Sequence, residues 1–163
     1  MHLTAEIRYD ADIARVGAML ADTDFVAAKV RSSGALSQHV EVVHSARGAF
    51  TVTTRRSMPT TGIPPQFRSL AGSTIEVRQV EAWEAQSGDE RRGTIVVEIT
   101  GAPVRLTGTL RLVGDGGRTT QHLAGELRAS VPLFASAIEE ATARAVDEAV
   151  KAEERAAATW LAT

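Results

Sequence analysis

Two polar residues set among alternating apolar ones are the best candidates for chemistry in this chain. Ile75, Val77 and Trp83 share one parity, and Gln79 and Glu81 fall at that same parity between them. One strand earlier, Thr54 and Arg56 continue the parity of Phe50 and Val52. A charge facing a sheet interior is costly unless it is paired or hydrated. A cavity holding water or a polar ligand group would relieve that cost, and burial could raise the carboxyl pKa towards acid/base use. Glu81 is therefore the one, weak, catalytic candidate. A β-bulge would reverse the parity and turn all four residues to solvent, and that is the expectation taken for Glu81 and Arg56.

Other chemistry finds no support. The histidines are His2, His39, His44 and His122. His39 and His44 have opposite parity on one strand, and no H-E-x-x-H spacing is present, so solvent-facing histidines and no metal are expected. No G-x-S-x-G, P-loop or G-x-G-x-x-G occurs, and Gly114–Gly117 (GDGG) reads as a hairpin turn. The absence of cysteine excludes disulfides and thiolate catalysis. No cofactor is implied.

The elements that must position these residues begin from the end of the chain. From about Pro132 to Leu161, the residues Ile138, Ala141, Ala145, Ala149, Ala152, Ala156 and Trp160 recur at steps of three and four, predicting one long helix with a single apolar face. Val146, Val150 and Leu161 lie beside that stripe, and Glu140, Arg144, Asp147, Lys151 and Glu154 cover the opposite side. Residues 2–9 alternate as a strand, then Asp10 caps a short helix carrying Ile13, Val16 and Leu20. Asp22 or Thr23 starts a second helix with Phe25, Val26 and Val30, ended at Gly34.

Six strands follow, carrying Val40 and Val42; Phe50 and Val52; Ile75, Val77 and Trp83; Ile95, Val97 and Ile99; Leu106, Leu110 and Leu112; and Leu123 and Leu127. Ser45–Gly48 and Gln86–Gly93 read as turns. Residues 58–72 break the strand pattern with three prolines and two glycines, although Pro65 can open one helical turn through Phe67 and Leu70. So long a connection suits a lid over a pocket, or an ordinary wandering loop. Short turns imply an antiparallel sheet that curls over its buried face. A curved sheet with one long helix across its mouth makes a container.

Composition narrows the partners. At 163 residues, 44% hydrophobic and 23% charged, the chain suits a single domain over 1–163 with an ordinary core. A net charge of -2 with mixed signs argues against nucleic acid or an anionic membrane as the main partner. No apolar run approaches the roughly 20 residues of a membrane span, and the N-terminus lacks the apolar region of a signal peptide, so a cytoplasmic location is expected. Homodimerisation through a sheet edge or a helix is left open.

The element order, together with VTTRRSMPTTGIPPQFRSLAGSTIEVRQVEAWEA (52–85), GAPVRLTGTLRL (101–112), VPLFASAIEE (131–140) and the terminal TWL (159–161), resembles the START-like superfamily, closest to an actinobacterial family of uncharacterised function. That resemblance implies an α+β helix-grip fold, with a strongly curved seven-stranded antiparallel sheet wrapped on the C-terminal helix. It further implies that the 58–72 connection, the 101–103 corner and the loop after the last strand cluster at a cavity entrance. Where relatives carry two glycines after VPL, this chain has Ala135 and Ser136, and Ser136 with Glu139 fits a capping box.

Such a fold implies binding of a small, largely apolar molecule, lipid or polyketide-like. Its expected walls are Phe50, Val52, Thr54, Val77, Gln79, Glu81 and Trp83. Val97, Ile99, Leu106 and Leu110 would extend them, with Phe67 and Phe134 from the connections and Ile138, Ala141 and Ala145 from the helix. Two alternatives stand beside this: a cyclase or aromatase using Glu81, and an interaction module with a collapsed cavity.

Overall fold

Alternation drives the sheet. In the strand β7 (Arg118–Ala129), Thr119, Gln121, Leu123, Leu127 and Ala129 are buried at one parity while the residues between them are more exposed. The structure is a computed structural model that describes residues 1–163, apart from the side chains at positions 70 and 71, so the expected role of Leu70 lies outside it. The other strands are β1 (His2–Tyr9), β2 (Ser37–His44), β3 (Phe50–Pro59), β4 (Thr74–Trp83), β5 (Glu90–Ile99) and β6 (Val104–Asp115). They form one antiparallel sheet in the order β1-β7-β6-β5-β4-β3-β2, open between its β1 and β2 edges. β5 starts at Glu90, inside the stretch expected to be turn, because Arg91 and Gly93 pair with Leu112 and Leu110.

Two glycines let the sheet close up. Gly108 of β6 faces Gly125 of β7. A Cβ at Gly108 would stand 2.5 Å from the Ala124 carbonyl oxygen, and one at Gly125 would stand 2.8 Å from that of Thr107. Both glycines have inward parity, so the strands approach more tightly on the concave side than side chains permit.

After β1 come α1 (Ile13–Leu20) and α2 (Thr23–Ser32). The cap of α1 is Asp12 rather than Asp10: its carboxylate accepts from the Arg15 N–H at 2.8 Å. Asp22 caps α2 by accepting from Asp24 and Phe25. The proline-rich connection holds a 3₁₀ turn and the short helix α3 (Pro65–Ala71), with Pro65 at its start. The last helix, α4, spans Ala135–Leu161 and packs chiefly against α2, β1 and β7. This is the helix-grip arrangement that the resemblance implies.

The capping box does not form at the start of α4. Phe134 occupies the cap position, Ser136 lies within the helix, and the Glu139 carboxylate instead accepts from the Ala129 N–H of β7 at 3.2 Å. The α4 face is rotated only part-way from the alanine stripe, of which Ile138, Ala152, Ala156 and Trp160 still pack inwards. Val146, Val150, Ala157 and Trp160 face the core, Ala152 is buried against the fold, and Ala145 is exposed. Alanine stood on several sides of the helix and could not set its phase; the valines did.

The main core lies at one end of the sheet-helix space. There Phe25 is fully buried and meets Trp160 edge-on at 5.7 Å, while Phe50 stacks on Trp83 at 6.4 Å. Burial of each such side chain contributes about 1.5–3 kcal/mol. A second cluster of Val104, Leu106, Leu127 and Ala129 packs under Ile138, Ala143 and Val146.

Candidate functional site

The register of β3, β4 and β5 lays the inward residues out in bands. Phe50 pairs with Trp83 and Val52 with Glu81, then Thr54 with Gln79, Arg56 with Val77 and Met58 with Ile75. On the next strand Gln79 pairs with Val97 and Val77 with Ile99. A polar band of Thr54, Arg56, Gln79 and Glu81 thus lies between the packed aromatic core and an apolar band of Ile75, Val77, Val97 and Ile99. The expected bulge does not occur. Glu81 is 4% exposed and Arg56 half-buried, so both face inward, because the β3–β4 ladder runs unbroken from Phe50 to Pro59.

Partners from two helices and from β1 make this burial tolerable. The Glu81 carboxylate accepts from Gln79 Nε2 at 2.7 Å and from Trp83 Nε1 at 3.3 Å. Lys29 of α2 places Nζ 3.7 Å from Glu81 Oε1 and 3.4 Å from Oε2 of Glu153 on α4. The Tyr9 hydroxyl is 3.0 Å from Glu153 Oε1 and 3.2 Å from Gln121 Oε1. Arg56 donates through Nη1 and Nη2 to Gln79 Oε1 at 3.3 Å, and through Nη1 to Thr54 Oγ1 at 3.4 Å. Two cations and two carboxylates therefore share one connected network, and their charges cancel.

The electrostatics follow from burial and from these neighbours. Burial pushes the Tyr9 hydroxyl pKa well above its ordinary value, and the Glu153 carboxylate adds to the effect. Burial alone would lower Lys29, but Glu153 and Glu81 outweigh it and hold the ammonium above its usual range. Burial lowers Arg56, opposed in part by Glu81 and Glu153. A guanidinium remains charged under such shifts.

Sequence reasoning found Thr54, Arg56, Gln79 and Glu81 but missed Tyr9, Lys29, Gln121 and Glu153. The signals were present. Lys29 stands on the apolar face of α2 with Phe25, Val26 and Val30, and Tyr9 continues the inward parity of Ile7. Glu153 lies three residues after Val150 and four before Ala157, on the face that the valines define.

The remaining expected wall residues divide into three groups. Phe50, Val52, Trp83 and Leu110 are in the packed core, and Leu106 is in the second cluster. Val97, Ile99, Ile138 and Ala141 are half-buried, and Val77 and Phe67 are buried. Ala145 is exposed and takes no part in the wall. Phe134 is 46% exposed and meets Phe67 edge-on at 5.3 Å, joining the 58–72 connection to the loop before α4. The Ser130 N–H donates to the Pro103 carbonyl at 2.8 Å, so the 101–103 corner joins them and the three segments meet at one end.

Two surface concavities are present, and the smaller includes Ile99 and Ser130 at the end where the three segments meet. One of about 780 Å³ sits on the sheet among Glu84, Arg92, Thr94 and Arg111, and one of about 460 Å³ surrounds the 101–103 corner. Among the described residues, no helix is long and apolar enough to cross a membrane.

Residues 4–161 match the family model described as "Protein of unknown function (DUF2505)". The chain belongs to that family. Among curated proteins, none matches in sequence. Solved structures share its fold at low identity. The Zhui aromatase/cyclase from a Streptomyces species is 15% identical with a TM-score of 0.61, over 96% of this chain and 90% of that one. A STAR-related lipid transfer protein from Xanthomonas axonopodis is 16% identical with a TM-score of 0.58, over 94% and 85%. A START superfamily protein from Mycobacterium smegmatis is 8% identical with a TM-score of 0.56, over 98% of each. The DUF2505 chain therefore has the START-like fold.

Proposed function

We propose that this DUF2505 protein binds a small, largely apolar molecule between α4 and the open end of the sheet. One observation carries the reading. Ile75, Val97 and Ile99 point towards the helix side and keep part of their surface exposed, with Val97 and Ile99 bordering the cluster under Ile138, because α4 leans chiefly on α2, β1 and β7. Apolar surface left wet inside a fold gains free energy when a ligand covers it, at about 25 cal/mol per Å². The polar band forms the floor of this cleft, and the Phe67–Phe134 contact closes one side of its mouth. Two of the fold neighbours are a lipid transfer protein and an aromatase/cyclase, which agrees with an apolar or polyketide-like ligand.

Sequestration fits the floor better than proton transfer does. Glu81 already receives Gln79, Trp83 and Lys29, so a substrate would have to displace one of them to reach its oxygens. Native mass spectrometry of the purified protein, with organic extraction of what co-purifies, tests the reading. A retained lipid or polyketide-like mass is the expected result. A bare mass, with no thermal shift across fatty acids, sterols and aromatic polyketides, would replace it with an interaction module.

A further inference from the structure

We infer that Arg56 is the recognition point for the ligand's head group, and that this head group is a neutral oxygen acceptor (a ketone, ester or hydroxyl) rather than a carboxylate. The inference rests on the binding reading above and narrows its ligand class.

Position is the first argument. Arg56 is the polar residue whose strand partner, Val77, begins the apolar band, and Val77 in turn pairs with Ile99. A molecule lying along Val77, Val97 and Ile99 brings its end to the guanidinium.

Spare valence is the second. Lys29 takes both carboxylates of the network, which leaves Arg56 with neutral acceptors only, Gln79 Oε1 and Thr54 Oγ1. Among the described residues, no carboxylate lies within ion-pair distance of it. A guanidinium has five N–H donors, and Nε makes no hydrogen bond among those residues. Nor is Nε sealed away, since among the described residues the buried side-chain atoms without a partner are Gln38 Oε1 and Arg91 Nε. Arg56 can therefore donate to an arriving oxygen without breaking its existing bonds.

Charge balance is the third argument, and it decides the class. Lys29 and Arg56 already offset Glu81 and Glu153. A neutral acceptor leaves that balance intact, whereas a ligand carboxylate would put a third negative charge into a largely buried site. Uncompensated buried charge is strongly disfavoured.

Matched pairs with one apolar body and two head groups provide the test: undecyl methyl ketone against dodecanoate, and acetonaphthone against naphthoate. Each competes with Nile red at mildly alkaline pH, where both acids are ionised. In at least one pair the ketone is expected to bind about 10-fold more tightly than its acid, and Arg56→Met is expected to weaken that ketone about 10-fold, the scale of a hydrogen bond to a charged group. The Arg56 Nε–H resonance of the wild-type protein should shift on adding that ketone. If Arg56→Met does not fold, the wild-type ketone/acid ratio and this resonance decide.

Acids that bind as tightly as their ketones, or a folded Arg56→Met with unchanged ketone affinity, would overturn this inference while leaving the binding reading in place. Binding of no probe from either pair would overturn both.

Discussion

Lys29 Nζ stands 3.4 Å from Glu153 Oε2 and 3.7 Å from Glu81 Oε1, so a single ammonium ties α2 to α4 and to the floor of the sheet. Lys29 and Glu81 are buried and Glu153 nearly so, with side chains 9%, 6% and 13% exposed. Removing the cation strands two carboxylates. Lys29→Met is therefore expected to destabilise the protein by about 3–5 kcal/mol, the cost of breaking a buried ion pair from one side. The double variant Lys29→Met/Glu153→Gln should recover part of that loss, because one of the stranded charges goes with it. Urea unfolding of the two variants measures both effects, and a double variant no more stable than the single would contradict the pairing.

The same cluster predicts alkaline sensitivity. Tyr9 and Lys29 both have folded pKa values above their ordinary ones, so between unfolded and folded values the native state holds the extra proton. Stability then falls as pH rises, beginning near the unfolded values of about 10 for both groups, and it is fully present below them. Melting temperature should be flat through neutral pH and drop above this range. Tyr9→Phe removes one of the two titrating groups and should flatten that drop. It should also lose about 1–3 kcal/mol at neutral pH, since the one hydroxyl proton that Glu153 and Gln121 share is removed from a largely buried site. An unchanged alkaline slope in Tyr9→Phe would count against the assignment.

The fold was legible because period-two alternation and short turns leave few arrangements for six consecutive strands, and the long helix needed an apolar partner. The site was half legible. Strand parity alone put Glu81 and Arg56 inside, and the bulge was invoked only because each charge lacked a visible partner. Those partners sit on α2, α4 and β1, far away in sequence, so strand periodicity could not show them. Helix phase was the second obstacle. On α4 the alanines tolerate any environment, so the stripe they suggested placed Ala145 inwards and overlooked Glu153, whereas Val146 and Val150 carry the real constraint.

Gly108 offers a test of how the sheet curves. Its added Cβ would lie 2.5 Å from the Ala124 carbonyl oxygen, a contact that only backbone movement can relieve. Gly108→Ala should cost about 1–3 kcal/mol through overpacking. Gly116→Ala controls for composition: its Cβ would meet nothing within 4 Å, although its φ of +57° adds local backbone strain. In Gly108→Ala, hydrogen exchange should quicken at the amides of β6 and β7, whereas Gly116→Ala should confine any change to the hairpin. Equal protection of the β6–β7 ladder in both variants would show that the close approach does not matter.

Leu133 and Phe134 are neighbours with opposite expectations. Leu133 adopts φ +69° while exposing 98% of its surface, so it combines a backbone conformation that side chains disfavour with almost no packing in return. For residues other than glycine that conformation costs roughly 1–2 kcal/mol. Leu133→Gly should thus be neutral or stabilising, by up to about 1 kcal/mol once glycine's greater unfolded-state freedom is deducted. Phe134→Ala removes the edge-on contact with Phe67 and should cost about 0.5–1.5 kcal/mol beyond its lost burial. If the mouth loops serve apolar ligands, Leu133→Gly should also weaken Nile red binding while the melting temperature holds or rises. That separation of stability from binding would mark the exposed leucine as a functional rather than a structural residue, and a melting temperature that falls with no change in binding would mark the reverse.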